Sequence, residues 1–323
     1  EPYAFERIEV LKGTSSSGFG ASEPGGSVNY VTKLPKSERF GEAYVTGGSF
    51  NHKELGLDFG DNITEDDTLS YRLTGKFERS DGEFDFSNND ENFVQGGLTW
   101  RPTDATSLTF VFDHLDRDGT PSSGGHPLST DFNRDRFFGE PSYNYDTTNR
   151  NTYSVMLEHD FGNGLSFGSN ARYSKSRNGF GYTYIYDTVG AGDPANTLVD
   201  RNYFGSDGSA EHFITDAHFL YETEFEQVES RTLVGADYSN FNSRGANYYT
   251  AAPQIDFANP VFAGGPGPLS PYSSSKKDQV NGGIYLQQDL VFNDRLTASL
   301  GLRNDWLDLE DKNLNTGTTA SGS

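Results

Sequence analysis

From residue 40 to the C-terminal end, stretches rich in Tyr and Phe alternate apolar with polar side chains, and the links between them are short, then long, then short again. Short links read Gly162-Asn163-Gly164 and Phe292-Asn293-Asp294-Arg295, while long ones run through 119–150, 178–212 and 243–279. A soluble β-sandwich has no reason to lengthen every second connection. A β-barrel crossing an outer membrane does, because its turns are tight on the periplasmic side and its loops long on the external side.

The alternation holds segment by segment, and a one-residue slip would exchange the two faces. In 70–78, Tyr71, Leu73, Gly75 and Phe77 alternate with Ser70, Arg72, Thr74, Lys76 and Glu78. In 280–292, Val280, Ile284, Leu286, Leu290 and Phe292 oppose Asn281, Tyr285, Gln287 and Asp289. The same period recurs in 42–48, 54–60, 93–101, 107–116, 152–161, 165–174, 213–222, 232–241 and 296–305, predicting eleven antiparallel strands. Their polar sides carry Arg72, Lys76, Arg172, Asp216, His218, Glu222, Asp237 and Arg303 in mid-strand. Near the bilayer midplane each such charge would cost ~2–4 kcal/mol on a lipid face, so these side chains belong in a wet or plugged lumen. The solvated face of a soluble antiparallel sheet is the alternative that pattern alone leaves open. Trp100, Phe161, Phe225 and Phe292 at the short-turn ends, and Trp306 near a long link, suit the aromatic girdles of a membrane barrel. Eleven strands with two unpaired edges would form only half of a barrel, because open edges cannot sit in hydrocarbon.

Composition narrows the alternatives. Mean hydropathy is −0.68 and no stretch approaches the ~20 apolar residues of a spanning helix. The 18 Tyr and 25 Phe argue against disorder. A net charge of −22, with no basic run beyond Lys276-Lys277, makes nucleic acid a poor partner. Zero cysteine excludes disulfide scaffolds, thiolate metal sites and cysteine nucleophiles. Gly164-Leu165-Ser166-Phe167-Gly168 matches a nucleophile-elbow pattern but starts a strand rather than joining strand to helix, and Ser273-Ser274-Ser275-Lys276 lies in a serine-rich stretch read as loop. The six His show no ligand spacing. Neither a catalytic nor a metal site is expected.

Residues 1–37 read differently. Phe5–Gly13 is a strand running into a turn, Gly18-Phe19-Gly20 and Pro24-Gly25-Gly26 are turns, and Ser27–Lys33 is a second strand. The succession Glu6-Arg7-Ile8-Glu9-Val10-Leu11-Lys12-Gly13, Gly18-Phe19-Gly20-Ala21 and Pro24–Pro35 closely resembles the end of the plug domain of TonB-dependent outer-membrane receptors. Further matches follow in order at Tyr71–Gly75, Leu98–Pro102, Thr130–Asn133, Gly283–Asp289 and Leu300–Trp306, and together they resemble the ferrichrome (hydroxamate siderophore) branch.

The resemblance implies an all-β protein, a 22-stranded transmembrane barrel in the intact family, with 1–37 the C-terminal part of the plug and 38–323 the first half of the barrel. It implies location in the outer membrane of a Gram-negative bacterium, among lipid and lipopolysaccharide, and import of a ferric siderophore with energy from TonB. Iron would enter only inside its siderophore, and no cofactor is implied. Ligand-facing aromatics carried over from the family are Phe19, standing for the tyrosine of an L-Y-G plug loop, then Tyr182, Tyr184 and Tyr186, and Tyr248 and Tyr249. Loop packing or girdle positions are the alternative roles for these rings. A receptor of the same fold for a catecholate siderophore, haem or a glycan is the nearest competing reading. A passive porin or adhesin, and a secreted all-β module or hydrolase, are more distant.

Overall fold

The computed structural model describes residues 1–12, 26–121, 132–133, 135–188, 197–293 and 295–322. A 3-10 turn, Pro2–Ala4, leads into β1 (Phe5–Lys12), which pairs with β2 (Gly26–Thr32) as a separate antiparallel ribbon. The rest forms one sheet of twelve strands. These are β3 (Phe40–Gly47), β4 (Lys53–Asn62), β5 (Leu69–Arg79), β6 (Asn89–Thr103), β7 (Thr106–Gly119) and β8 (Tyr145–Gly162), followed by β9 (Leu165–Thr188), β10 (Leu198–Phe225), β11 (Val228–Asp256), β12 (Ser273–Phe292), β13 (Leu296–Asn313) and β14 (Thr319–Gly322). Each strand pairs with its neighbours in sequence, from an edge at β3 to an edge at β14, so the sheet is open.

All eleven expected strands correspond to β3–β13, and β14 corrects the count to twelve within the described residues. A larger correction concerns length. β9, β10 and β11 run 24, 28 and 29 residues, so most of 178–212 and 243–279 is strand rather than loop. Of the described residues there, 257–272 remains as a link. Outside hydrocarbon both faces of a strand can carry polar residues, and that polarity hid the strands. Ser273–Lys276 likewise opens β12, and Asn89–Glu91 opens β6.

Alternation assigns the faces. On β5, Ser70, Arg72 and Thr74 are buried on the side of the β1–β2 ribbon, while Leu73 and Phe77 are exposed on the other side. Along the register, Arg172, Asp216, His218, Glu222, Asp237 and Arg303 continue the ribbon-facing side. Leu55, Leu98, Phe110, Val155, Val234, Ile284 and Leu302 form an exposed apolar band on the opposite side. Among the described residues no helix is long and apolar enough to cross a membrane. Glycine makes room on the inner face: a Cβ at Gly56 would lie 2.0 Å from the ring of Tyr44.

One guanidinium ties the ribbon to this wall. Arg72, only 4% exposed, donates from Nε and Nη2 to the two carboxylate oxygens of Asp58 (2.9 and 2.7 Å), and from Nη1 to Glu6 (2.9 Å) and the Leu34 carbonyl (3.0 Å). Lys33 of the ribbon side reaches the same Asp58 at 2.8 Å, and Gln95 donates to the Lys33 carbonyl. Bidentate pairing offsets part of the cost of burying these charges. R72A leaves Asp58 with Lys33 and the Thr74 hydroxyl, and should cost about 3–5 kcal/mol at most, the range for breaking a buried pair. Hydrogen exchange should then rise in β1, β2 and β4 while β8–β13 keep their protection.

Candidate functional site

The site candidate is the free upper part of β9–β11. Register there is unbroken from the short turns upward: Leu165 opposite Tyr221 through Ile185 opposite Arg201, and Phe225 opposite Val228 through Arg201 opposite Ala252. Side chains on the ribbon-facing side low in the sheet therefore share a face with those above them at every second position. Phe180, Tyr182 and Tyr184 follow Arg172 on β9; Asn202, Phe204 and Ser206 follow Asp216 on β10; Asn247 and Tyr249 follow Asp237 on β11.

These residues make a continuous aromatic surface. Tyr182 and Tyr184 stack with centroids 4.9 Å apart, Phe204 meets Tyr182 edge-on at 5.8 Å, and Phe180 lies 5.2 Å from Tyr182. Phe204 pairs across the strands with both Tyr182 and Tyr249. Tyr249 meets Tyr272 edge-on, at 6.4 Å. Such stacked and edge-on contacts suit the ring quadrupoles. Tyr186 and Tyr249 are 57% and 49% exposed. Partial burial, the neighbouring Tyr249 and a side-chain hydrogen bond with it raise the Tyr184 hydroxyl above the ordinary tyrosine value.

Of the residues expected at the site, Tyr182, Tyr184 and Tyr249 thus share one face, on strands rather than loops, and Tyr186 stands exposed at the register shift just above them. Tyr248 points to the opposite face, where it lines a groove of about 610 Å³ with Arg177, Asp207 and Arg244. Phe19 lies outside the described residues. Phe204 and Asn202, outside the set expected at the site, also stand on this face, and alternation across 202–206 is the signal for both.

The reverse face of the extension is covered by external segments. Phe138, Ile185, Val199 and Ile255 form a small core there, with Phe132, Phe257 and Phe262 packed against it. Tyr143 meets Tyr203 edge-on at 5.2 Å, and burial pushes the Tyr143 hydroxyl up to about 12.

The aromatic face can bind a bulky ligand by ring contact and hydroxyl or amide hydrogen bonds. It offers no paired acid and base. Gly164, at φ +80°, makes a tight turn into β9, so the strand–turn–helix of a nucleophile elbow is missing at that motif. Among the described residues no group of three or more His, Cys, Asp and Glu is arranged to hold a metal ion.

Comparison with known proteins gives a concordant picture. The family described as TonB dependent receptor-like, beta-barrel matches residues 99–323. The ferrichrome outer membrane transporter/phage receptor of Escherichia coli K12 is 28% identical over 99% of this chain and 46% of its own length. The ferrioxamine B receptor of Salmonella typhimurium LT2 is 29% identical over 94% of the chain and 44% of its own length. The chain thus spans a little under half the length of these relatives. Among solved structures, the ferric-catecholate import receptor Fiu of E. coli K12 superimposes with a TM-score of 0.85 at 19% identity, covering 100% of this chain and 51% of that one. The ferripyoverdine receptor of Pseudomonas aeruginosa gives 0.82 at 22%, covering 99% and 43%. At such identities the structural likeness speaks to fold alone.

A raised tyrosine pKa stabilises the folded state below the ordinary value near 10, and this contribution is lost as pH rises through the raised value. Alkaline difference spectra should therefore show Tyr184 titrating late. Y249F should move it back toward the ordinary value without abolishing the shift, because burial remains.

Proposed function

The chain belongs to the TonB-dependent receptor-like β-barrel family, and from that premise we propose that it is the plug end and first barrel half of an outer-membrane receptor that imports a ferric siderophore. The observation that carries this reading is the aromatic face of Tyr182, Tyr184, Phe204 and Tyr249, which continues the ribbon-facing side of the wall beyond the apolar band. A ferric siderophore is bulky, presents apolar surface and carbonyl oxygens, and carries its own iron, so rings and hydroxyls suffice and no protein ligand to the metal is required. Residues 1–37 serve as the C-terminal part of the plug and 38–323 as barrel. Binding energy biases the receptor between conformations, and TonB supplies the energy for transport. The protein carries out binding and gating rather than bond chemistry.

Charge favours a hydroxamate type over a catecholate. Phe180, Tyr182, Tyr184, Asn202, Phe204, Ser206, Asn247 and Tyr249 include no Lys or Arg, so an anionic complex would find no counter-charge on these positions. On the other face at about this level Arg177, Arg244, Lys276 and Lys312 lie in one row across the strands, with Ser209 between Arg177 and Arg244; Lys276 also pairs with Asp278 at 2.6 Å, and Lys277 stands on the ribbon-facing side. Like charges so placed repel. Phosphate groups of outer-leaflet lipid or lipopolysaccharide, adjoining the apolar band, would relieve that repulsion, and we assign these lipids as the partners of the outward face.

Growth under iron limitation, with one siderophore supplied at a time, tests the reading. Ferrichrome or ferrioxamine B should rescue growth, and Y182A and Y184A should each weaken uptake about tenfold, the loss of one buried ring contact. Rescue by catecholates alone would reject the hydroxamate assignment. No rescue by any siderophore would reject the function.

A further inference from the structure

On the reverse side of the aromatic face lies an ion pair with both side chains 0% exposed: Arg201 Nη2 donates to Glu140 Oε1 at 2.7 Å. The two residues are 61 positions apart in sequence. Each uses nearly all its remaining capacity on main chain. Arg201 Nη1 donates to the carbonyls of Phe138 (2.8 Å) and Gly139 (3.0 Å), and Nε to the carbonyl of Pro253 (3.0 Å). Glu140 accepts the N–H of Ala263 at Oε1 (3.2 Å) and of Gly264 at Oε2 (2.8 Å). Tyr203, two residues along, donates its hydroxyl to the Gly264 carbonyl. Asn144, whose Oδ1 accepts from the Glu140 N–H, also accepts the N–H of Thr183 on β9. The cluster thereby joins β9, β10 and the end of β11 to the external segments 137–144 and 263–264.

Its position in the register is unusual. The pairing of β10 with both neighbours is irregular just beyond it, between Val199 and Arg201 on the β11 side and between Asp200 and Arg201 on the β9 side. Arg201 is therefore the last residue of the long unbroken register, and the next one along, Asn202, carries the aromatic face beside Tyr184. A one-residue slip would exchange the faces of Arg201 and Asn202 and turn Phe204 away from Tyr182 and Tyr249. It would also leave a guanidinium and a carboxylate buried without partners, which makes the slipped state costly. Buried ion pairs add little net stability, and their best-attested use is to fix register.

We propose that Arg201 and Glu140 are positioning residues for ligand binding: their buried clasp locks the register of β9–β11 and thereby presets the aromatic face on its other side. This rests on the siderophore reading for its ligand, though not for its mechanics. With the clasp intact the face is ordered before a ligand arrives, so ordering does not subtract from affinity. Without it the rings still exist but must be aligned by the ligand, and complexes dissociate sooner.

The test uses the receptor in its outer membrane with R201K and the double variant R201M/E140L. Lysine keeps the charge opposite Glu140 but cannot reproduce the fork of donors to three carbonyls. The double variant removes the charges while preserving bulk. Both should keep wild-type expression, a heat-stable barrel and an unchanged number of sites for ferrichrome or ferrioxamine B. Hydrogen exchange without ligand should rise about tenfold or more at 181–186, 201–204 and 249–252 but not at 165–174 or 213–222, the pattern of a local opening. Ligand dissociation should quicken about tenfold with association little changed, where most affinity differences lie. Wild-type exchange in R201K would overturn the inference whatever the ligand, as would faster exchange with unaltered dissociation. If the wild-type receptor bound neither probe, the siderophore reading would fall while exchange still decided whether the clasp sets the register.

Discussion

Everything in this structure depends on a period-two register, which β9–β11 hold unbroken from the short turns up to Arg201. Antiparallel pairing fixes which residues stand opposite, and pleating sends neighbours to opposite sides. In hydrocarbon that arrangement is obligatory, because each backbone N–H and C=O must find its partner in an adjacent strand. It also sorts the side chains. Arg72, Asp237 and Arg303 turn toward the ribbon-facing side, and Leu73, Val234 and Leu302 turn toward the exposed apolar band. Several charges in the wall are paired. Asp58 binds Arg72 and Lys33, and Arg303 binds Asp237 at 2.7 Å and Asp305 at 2.6 Å.

Beyond the membrane the same register continues under a different constraint. Water relieves both faces of the need to be apolar, so β9–β11 use the two sides for different tasks. One side carries exposed rings, hydroxyls and amides. The other is roofed by external segments over Phe138, Ile185, Val199 and Ile255 and fastened by the Arg201–Glu140 pair. A long strand is a stiffer support for a binding surface than a loop of equal length, since its backbone is hydrogen-bonded on both sides. The roof gives the free end of the sheet a core of its own.

Much of this was legible in the residues. Tyr71, Leu73 and Phe77 against Arg72, Thr74 and Lys76 gave strand, faces and register directly, because lipid on one side and a filled lumen on the other enforce strict alternation. The external half was obscured because that pressure stops there. Phe180, Tyr182, Tyr184 and Tyr186 still alternate, but with Gly181, Thr183 and Ile185 rather than with charges, and glycine with polar residues reads as loop. Tyr248 and Tyr249 read as an aromatic pair in a loop, but as consecutive residues of a strand they point to opposite faces. The Arg201–Glu140 clasp has no local signature: its partners are distant in sequence, and neither position differs from any other charged residue in an external segment.

Continuity of the two faces is tested most directly by single cysteines, since the chain has no native cysteine to confuse the signal. Spin labels at Ile284→Cys, Leu286→Cys and Leu302→Cys should respond to a lipid-soluble relaxation agent, and labels at Tyr285→Cys, Gln287→Cys and Ser299→Cys to the polar interior. Above the apolar band, Tyr182→Cys and Tyr184→Cys should react with a water-soluble reagent added outside the cell, and Thr183→Cys should be shielded beneath the roof. That alternation, continued from the membrane band into the extension, is the result the account predicts. Equal reactivity at 182, 183 and 184, or lipid contact at 285 and 287, would contradict it.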